Sequence, residues 1–190
     1  MVGRGGRRRL GGRRAPAAEP GSALAARTRA LGLLGRRDYA RAALKQRLTE
    51  DGFEPGATEA ALSALERERL LSDARYAEAA VASRIARGHG PLRIALELRR
   101  QGLASGLVKE ALAAHDTEWP ALAAALRRRR FGPAPAGDAP GRAREARFLL
   151  ARGFTGRQVS AALGAAGRDE FAELELREDE APGGAGPDAG

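Results

Sequence analysis

Apolar residues recur along this chain at fixed distances from three glycines. "LTEDGF" (48–53), "LRRQGL" (98–103) and "LARGFT" (150–155) each carry a Gly followed by a large apolar residue. Registered on Gly52, Gly102 and Gly153, the chain places Leu48, Leu98 and Leu149 four residues earlier. Thr58, Val108 and Val159 lie six residues later, and Leu62, Leu112 and Leu163 ten residues later. The pattern L-x3-G-[FL]-x8-L thus occurs three times, at spacings of 50 and 51 residues. Self-similarity at such a period marks stacked supersecondary units.

The repeat decides an ambiguity in "HGPLRIALELRRQG" (89–102). Leu92, Ile94, Leu96 and Leu98 alternate with Arg93, Ala95, Glu97 and Arg99, which is the period of a half-buried strand. The same letters also set apolar residues four apart, as in an amphipathic helix. The sister segments "ARAALKQRLTEDG" and "RAREARFLLARG" do not alternate, and this one is rich in helix formers. Pro91 fits a first helical turn and Gly102 a C-terminal cap, where positive φ is wanted. The segment reads as a helix, with its apolar side chains on a broad arc and Arg93, Glu97, Arg100 and Gln101 opposite.

Each unit has one helix before this position and one after. The expected helices are 23–35 and 57–69 around the first glycine, 74–87 and 105–114 around the second. Ser72-Asp73 is the cap expected for 74–87. In the third unit Thr117 is expected to cap "EWPALAAALRRRRF", and 156–163 to close the unit. The fold class is all-α: three tandem three-helix, helix-turn-helix-like repeats, at 23–71, 72–115 and 116–166. Short helices hide little apolar surface alone, so the repeats are expected to stack into an elongated curved array. Residues 1–22, Arg/Gly-rich and basic, and 167–190, acidic and rich in Gly and Pro, read as flexible ends. "GPAPAGDAPG" (132–141) reads as a long loop.

Composition removes several function classes. The chain has no cysteine, so neither a disulfide framework nor a thiolate metal site is available. Two histidines, His89 and His115, are too few for a zinc site without carboxylates; no metal and no cofactor is expected. No run approaches the roughly 18 apolar residues of a membrane span, and the basic N-terminus lacks the apolar stretch of a secretory signal. The reading is a cytoplasmic, soluble protein with no membrane partner.

Charge is unevenly placed. The net charge is +9, with +5 on residues 1–22 and −7 on 169–190, leaving +11 on 23–168. A basic folded body points to an anionic partner, nucleic acid first. Against that stands the scarcity of lysine, only Lys45 and Lys109, beside abundant Arg, Ala and Gly. Such a bias also arises by drift in a GC-rich genome, so any single arginine run can be solvated decoration.

No catalytic arrangement stands out. The glycines form neither a phosphate-binding loop nor a dinucleotide fingerprint. His89, between glycines at a helix start, reads as a turn residue, and Asp73 as a helix cap or an ion-pair partner of Arg75 or another Arg. Tyr76, Trp119, Phe53, Phe131, Phe148 and Phe154 read as core rather than as a base-stacking platform. Basic stripes are the better candidates. Arg37, Arg41 and Lys45 stand four apart, Arg84 and Arg87 three apart, and Arg93 and Arg100 seven apart, each set reading as one helix face. Arg127 to Arg130 run consecutively and surround their helix. Such stripes suit an extended polyanion; the plainer reading is a solvated face with pairs such as Arg93–Glu97.

"DARYAEAAVASRIARGHGPLRIALELRRQGL" resembles the central signature of the RecX family, bacterial regulators of the RecA recombinase. The matching residues are Asp73, Arg75, Tyr76 and Ala77, the turn at Gly90, and the helix carrying Ile94, Leu98 and Gly102. "ALGLLGRRDYARAALKQRLTEDGF" is similar to the family's N-terminal unit and "RAREARFLLARGFTGRQVSAAL" to its C-terminal one, so the resemblance spans about 24–164. It implies three tandem three-helix repeats, a monomer, and no catalytic activity. It also implies binding to RecA, free and as its filament on single-stranded DNA, with weak DNA contact through the basic faces. The effect implied is inhibition of RecA's ATPase, strand exchange and coprotease activity in recombination, DNA repair and the SOS response. The competing readings are a sequence-specific helix-turn-helix regulator and a non-specific basic DNA-binding protein. The first would need base-reading side chains on 57–69, 105–114 or 156–163, which are Ala-rich.

Overall fold

A computed structural model describes residues 19–164. Most of the basic extension and all of the acidic tail, the two ends read as flexible, lie outside the described residues. Nine α-helices and no strand occur among the described residues. They are α1 (Ala23–Leu34), α2 (Arg41–Glu50), α3 (Pro55–Arg67), α4 (Asp73–Ala86), α5 (Pro91–Arg100), α6 (Ser105–Ala113), α7 (Trp119–Phe131), α8 (Ala139–Leu150) and α9 (Gly156–Leu163). The chain divides into two compact units, one ending at Ser72 and the other starting at Asp73.

The three registered glycines make the same turn three times. Gly52, Gly102 and Gly153 have φ of 91°, 88° and 83°, the left-handed region that glycine enters without a Cβ penalty. Beyond each glycine the next N–H reaches back to the matching leucine: Phe53 to Leu48, Leu103 to Leu98 and Phe154 to Leu149. This closes the otherwise orphaned carbonyls at the ends of α2, α5 and α8. Leu48, Leu98 and Leu149 are fully buried, and so are Thr58, Val108 and Val159, or nearly so. Leu62 and Leu163 are buried too, whereas Leu112 is half-buried and Ala111 takes the core side of α6.

In the first unit, α1, α2 and α3 pack around Ala26, Ala30, Leu44, Leu48, Leu62 and Leu65. Ser22 caps α1 by accepting from the Ala25 N–H at 3.2 Å. Asp51, next to the glycine turn, is buried and held by Arg29 at 2.6 Å and Arg47 at 3.1 Å. In the second unit α4 and α5 pack on α6, and α7 and α8 pack on α9. The latter core is Ala123, Ala146, Leu149, Phe154 and Val159.

Three expectations need correcting. Thr117 does not cap α7: the N-cap is Glu118, without a side-chain cap bond, because the Thr117 carbonyl itself accepts the Trp119 N–H at 2.8 Å. The loop expected at 132–141 stops at Asp138, since Pro140 suits the first turn and α8 already starts at Ala139. The broad apolar arc of α5 is also too wide. Only Ile94 and Leu98 are buried among its large apolar residues, while Leu92 and Leu96 are 45% and 41% exposed.

Candidate functional site

Helix α5 starts against the turn that ends α8. The Gly90 N–H donates to the Arg152 carbonyl at 2.8 Å, and the Leu92 N–H to the Gly153 carbonyl at 3.0 Å. A Cβ on Gly90 would lie 2.3 Å from the carbonyl carbon and oxygen of Gly153, and one on Gly153 would lie 2.3 Å from the Arg93 Cβ. The chain can approach this closely here only because Gly90 and Gly153 carry no Cβ. Gly90, a residue of the sequence signature, is therefore the seat on which the second and third repeats join.

An ionic cluster lies beside this seat. Glu97 accepts from Arg84 Nε at 2.8 Å and from Arg93 Nε at 2.9 Å, with His89 Nδ1 3.7 Å away. Arg84 also donates to the Ala80 carbonyl, Arg93 to the Ala151 carbonyl, and Arg152 to the Arg87 carbonyl. Burial works to raise the Glu97 carboxyl, but the hydrogen bonds from Arg84 and Arg93 outweigh it and hold it below the usual carboxylate range. Burial, then the Arg93 charge, pushes His89 below the ordinary imidazole value despite Glu97. The cluster thus favours the neutral imidazole of His89 and the ionised carboxylate of Glu97.

The basic stripes separate into tied and untied residues. Arg37 is not on a helix face with Arg41 and Lys45. It precedes α2 in the α1–α2 loop and stacks over the Tyr39 ring at 4.5 Å. Pairing across α3 neutralises the other two: Arg41 meets Glu59 and, at 2.9 Å, Glu66, and Lys45 meets Glu59 at 3.3 Å. The hydrogen bond from Arg41, then that from Lys45, lowers the Glu59 carboxyl, and the same bond to Glu59 raises Arg41. Arg84 is drawn into the Glu97 cluster, and Arg87 stands in the turn after α4 rather than on its face. Arg93 is half tied, by Glu97 and the Ala151 carbonyl. Arg100 is exposed and, like its neighbour Arg99, has no ion pair among the described residues.

Arg99 and Arg100 border an open groove of about 690 Å³. Leu92, Arg93, Leu96 and Glu97 of α5 line it, facing Leu150, Ala151 and Gly153 from the α8 end. Exposed leucines beside untied arginines form a surface that offers apolar contact and positive charge together. Such a surface suits recognition of another chain; it holds no nucleophile–base pair. No group of His, Asp and Glu fit to hold a metal occurs among the described residues, and no described helix is long and apolar enough to cross a membrane.

The remaining signature residues serve the scaffold. Asp73 opens α4, where a carboxylate offsets the positive end of the helix dipole, and Arg75 stands exposed two residues on. The Tyr76 hydroxyl donates to Gln101 Oε1 at 2.8 Å, tying α4 to the end of α5. Ile94 and Leu98 are fully buried, and Gly102 turns the chain. Of the aromatic residues read as core, Phe53 and Phe154 are buried, while Tyr76, Trp119, Phe131 and Phe148 are half-buried. Phe131 and Phe148 meet edge to face at 5.3 Å, with Arg130, Arg144 and Arg152 over their rings.

Sequence reasoning missed two features. Arg127, read as one of four arginines around a helix, is 2% exposed, and its Nη1 lies 3.5 Å from Oε1 of the buried Glu145. Its Nη2 donates to the Gly132 and Pro133 carbonyls at 2.9 and 2.8 Å, so this arginine closes the end of α7. An "RRRR" run carries no mark of which member turns inward. The second is Arg99, left out of the stripes because the seven-residue spacing paired Arg93 with Arg100.

Residues 26–65 match the first three-helix domain of RecX, and residues 72–112 its second three-helix domain. The regulatory protein RecX of Halorhodospira halophila is 46% identical over 146 residues, covering 77% of this chain and 91% of that protein. The regulatory protein RecX of Acidithiobacillus ferrooxidans is 41% identical over 143 residues, covering 75% and 91%. Among solved structures, RecX from Lactobacillus salivarius superposes with a TM-score of 0.66 at 18% identity, covering 80% of this chain and 97% of that one. A second crystal structure of a regulatory protein RecX gives a TM-score of 0.64 at 23% identity, covering 74% and 70%. These two establish the likeness of fold. The sequence relatives establish more, and by them the chain belongs to the RecX family.

Proposed function

We propose that this chain regulates the RecA recombinase by binding rather than by catalysis. It holds RecA, free and as its filament on single-stranded DNA, and inhibits RecA's ATPase, strand exchange and coprotease activity. Recombination, DNA repair and the SOS response are the processes it tempers, acting as a monomer in the cytoplasm. Family membership supports the reading, since its relatives are named as regulatory proteins. The observation that carries it to particular residues is the groove beside α5, where Arg99 and Arg100 stand untied next to exposed Leu92 and Leu96.

The contact surface is therefore narrower than the full set of basic residues. Arg41, Lys45 and Arg84 already hold carboxylates, and using them elsewhere would strand Glu59, Glu66 or Glu97. Arg99 and Arg100 have no such commitment, and Arg93 lines the same groove. DNA contact through these residues is weak and secondary. Retention of the chain on immobilised cognate RecA, with and without single-stranded DNA, tests the reading. Capture by RecA without DNA supports it; capture only by DNA would favour a non-specific basic DNA-binding protein.

A further inference from the structure

The groove beside α5 has a candidate occupant within the same chain. Residues 170–180 read "EFAELELREDE": six carboxylates and one arginine surround Phe171, Leu174 and Leu176. That is the chemical complement of the groove, where Leu92 and Leu96 are exposed and Arg99 and Arg100 lack ion pairs among the described residues. We propose that segment 170–180 docks into this groove in cis, its apolar residues covering Leu92 and Leu96 and its glutamates meeting Arg99 and Arg100.

Chain length permits the contact. Gly153 forms part of the groove wall, and α9 adds eight residues before Gly164. At about 1.5 Å per helical residue, plus about 10 Å for the short connection, Gly164 lies within about 25 Å of that wall. The seven residues from Gly164 to Phe171 span up to about 24 Å when extended. A tether this short keeps the segment at a high effective concentration, so modest contacts suffice. Covering Leu92 and Leu96 removes apolar surface from water, and the carboxylates gain partners that the folded body leaves available. A ligand of this face must then displace the segment, which makes it a built-in competitor. The contact itself rests on the groove and the segment alone, not on the RecA reading.

The natural chain has no cysteine, so Leu96→Cys with Leu174→Cys gives a full-length protein with two thiols. Under mild oxidation at low salt this pair is expected to close as an intramolecular disulfide. Closure should slow about tenfold in the Arg99→Glu/Arg100→Glu background, as loss of two exposed charge pairs implies. Adding Glu173→Arg and Glu175→Arg should restore the rate. Circular dichroism confirms that each variant remains helical, and no RecA is present, so the result is independent of the proposed function. A closure rate indifferent to both charge changes overturns the proposal. Predominant disulfide-linked dimers overturn it as well, in favour of the segment of a second copy.

Discussion

Gly90 and Gly153 meet backbone to backbone, with the Gly90 N–H on the Arg152 carbonyl and the Leu92 N–H on the Gly153 carbonyl. A Cβ on Gly90 would lie 2.3 Å from the Gly153 carbonyl, and one on Gly153 would lie 2.3 Å from the Arg93 Cβ. This contact joins α5 to the end of α8 and so sets one wall of the α5 groove against the other.

The first prediction follows from that contact. Gly90→Ala must push the α8–α9 turn away, and the opposing atoms are backbone, which cannot swing aside. Denaturant melts should show a loss of about 2–3 kcal/mol, the upper part of the overpacking range. Gly32→Ala is the contrasting case: Gly32 lies within α1 with nothing within 4 Å of an added Cβ. It should stabilise the first unit by about 0.5–1 kcal/mol, the usual gain over a helical glycine.

The buried Arg127–Glu145 pair yields a second. Removing one charge strands the other in the core, so Arg127→Met or Glu145→Leu alone should cost about 3–5 kcal/mol. Combining the two should recover most of that loss, because no buried charge then remains uncompensated. A double-mutant cycle in denaturant measures the coupling. Additive single losses would mean that the two side chains do not sense each other.

How much of this was legible in the sequence varies with the physics behind each feature. The repeat was legible because Gly52, Gly102 and Gly153 satisfy a backbone requirement that few other residues meet, and because Leu48, Leu98 and Leu149 pack four residues earlier. The helical nature of 91–100 followed from the same register. The pairing of Arg41 and Lys45 with Glu59 was not legible, since it depends on how α2 crosses α3. Nor was the exposure of Leu92 and Leu96, whose apolar character says core although packing buries only Ile94 and Leu98 among the large apolar residues of α5. Local spacing tells which residues share a face; packing decides whether that face is free.

The Glu97 cluster sets a pH dependence. The folded state holds His89 below its unfolded value of 6.5, so the unfolded chain takes up a proton first as pH falls. Stability is therefore lost as pH drops below 6.5, until His89 protonates in the folded state as well. Glu97 behaves differently: its stabilisation is present above 4.5 and is lost as pH falls through its lower folded value. Thermal melts should show a first decline below about pH 6.5, absent in His89→Gln, and a second below about pH 4.5. An unchanged first decline in His89→Gln would place its origin elsewhere.

The most direct test of the central claim is inhibition of the cognate RecA's single-stranded-DNA-dependent ATPase by the Arg99→Glu/Arg100→Glu variant. Both side chains are exposed, and the substitutions leave Ile94, Leu98 and the Glu97 cluster in place, so helical content should be unchanged. Reversing two charges at an interface should raise the concentration needed for half-inhibition by about tenfold or more at low salt, with the gap closing as salt screens the wild-type contacts. Arg41→Gln, which removes a residue already committed to Glu59 and Glu66, should leave inhibition unchanged wherever the variant is folded. Wild-type inhibition by the folded Arg99→Glu/Arg100→Glu chain would contradict the assignment of the α5 groove as the RecA-binding face.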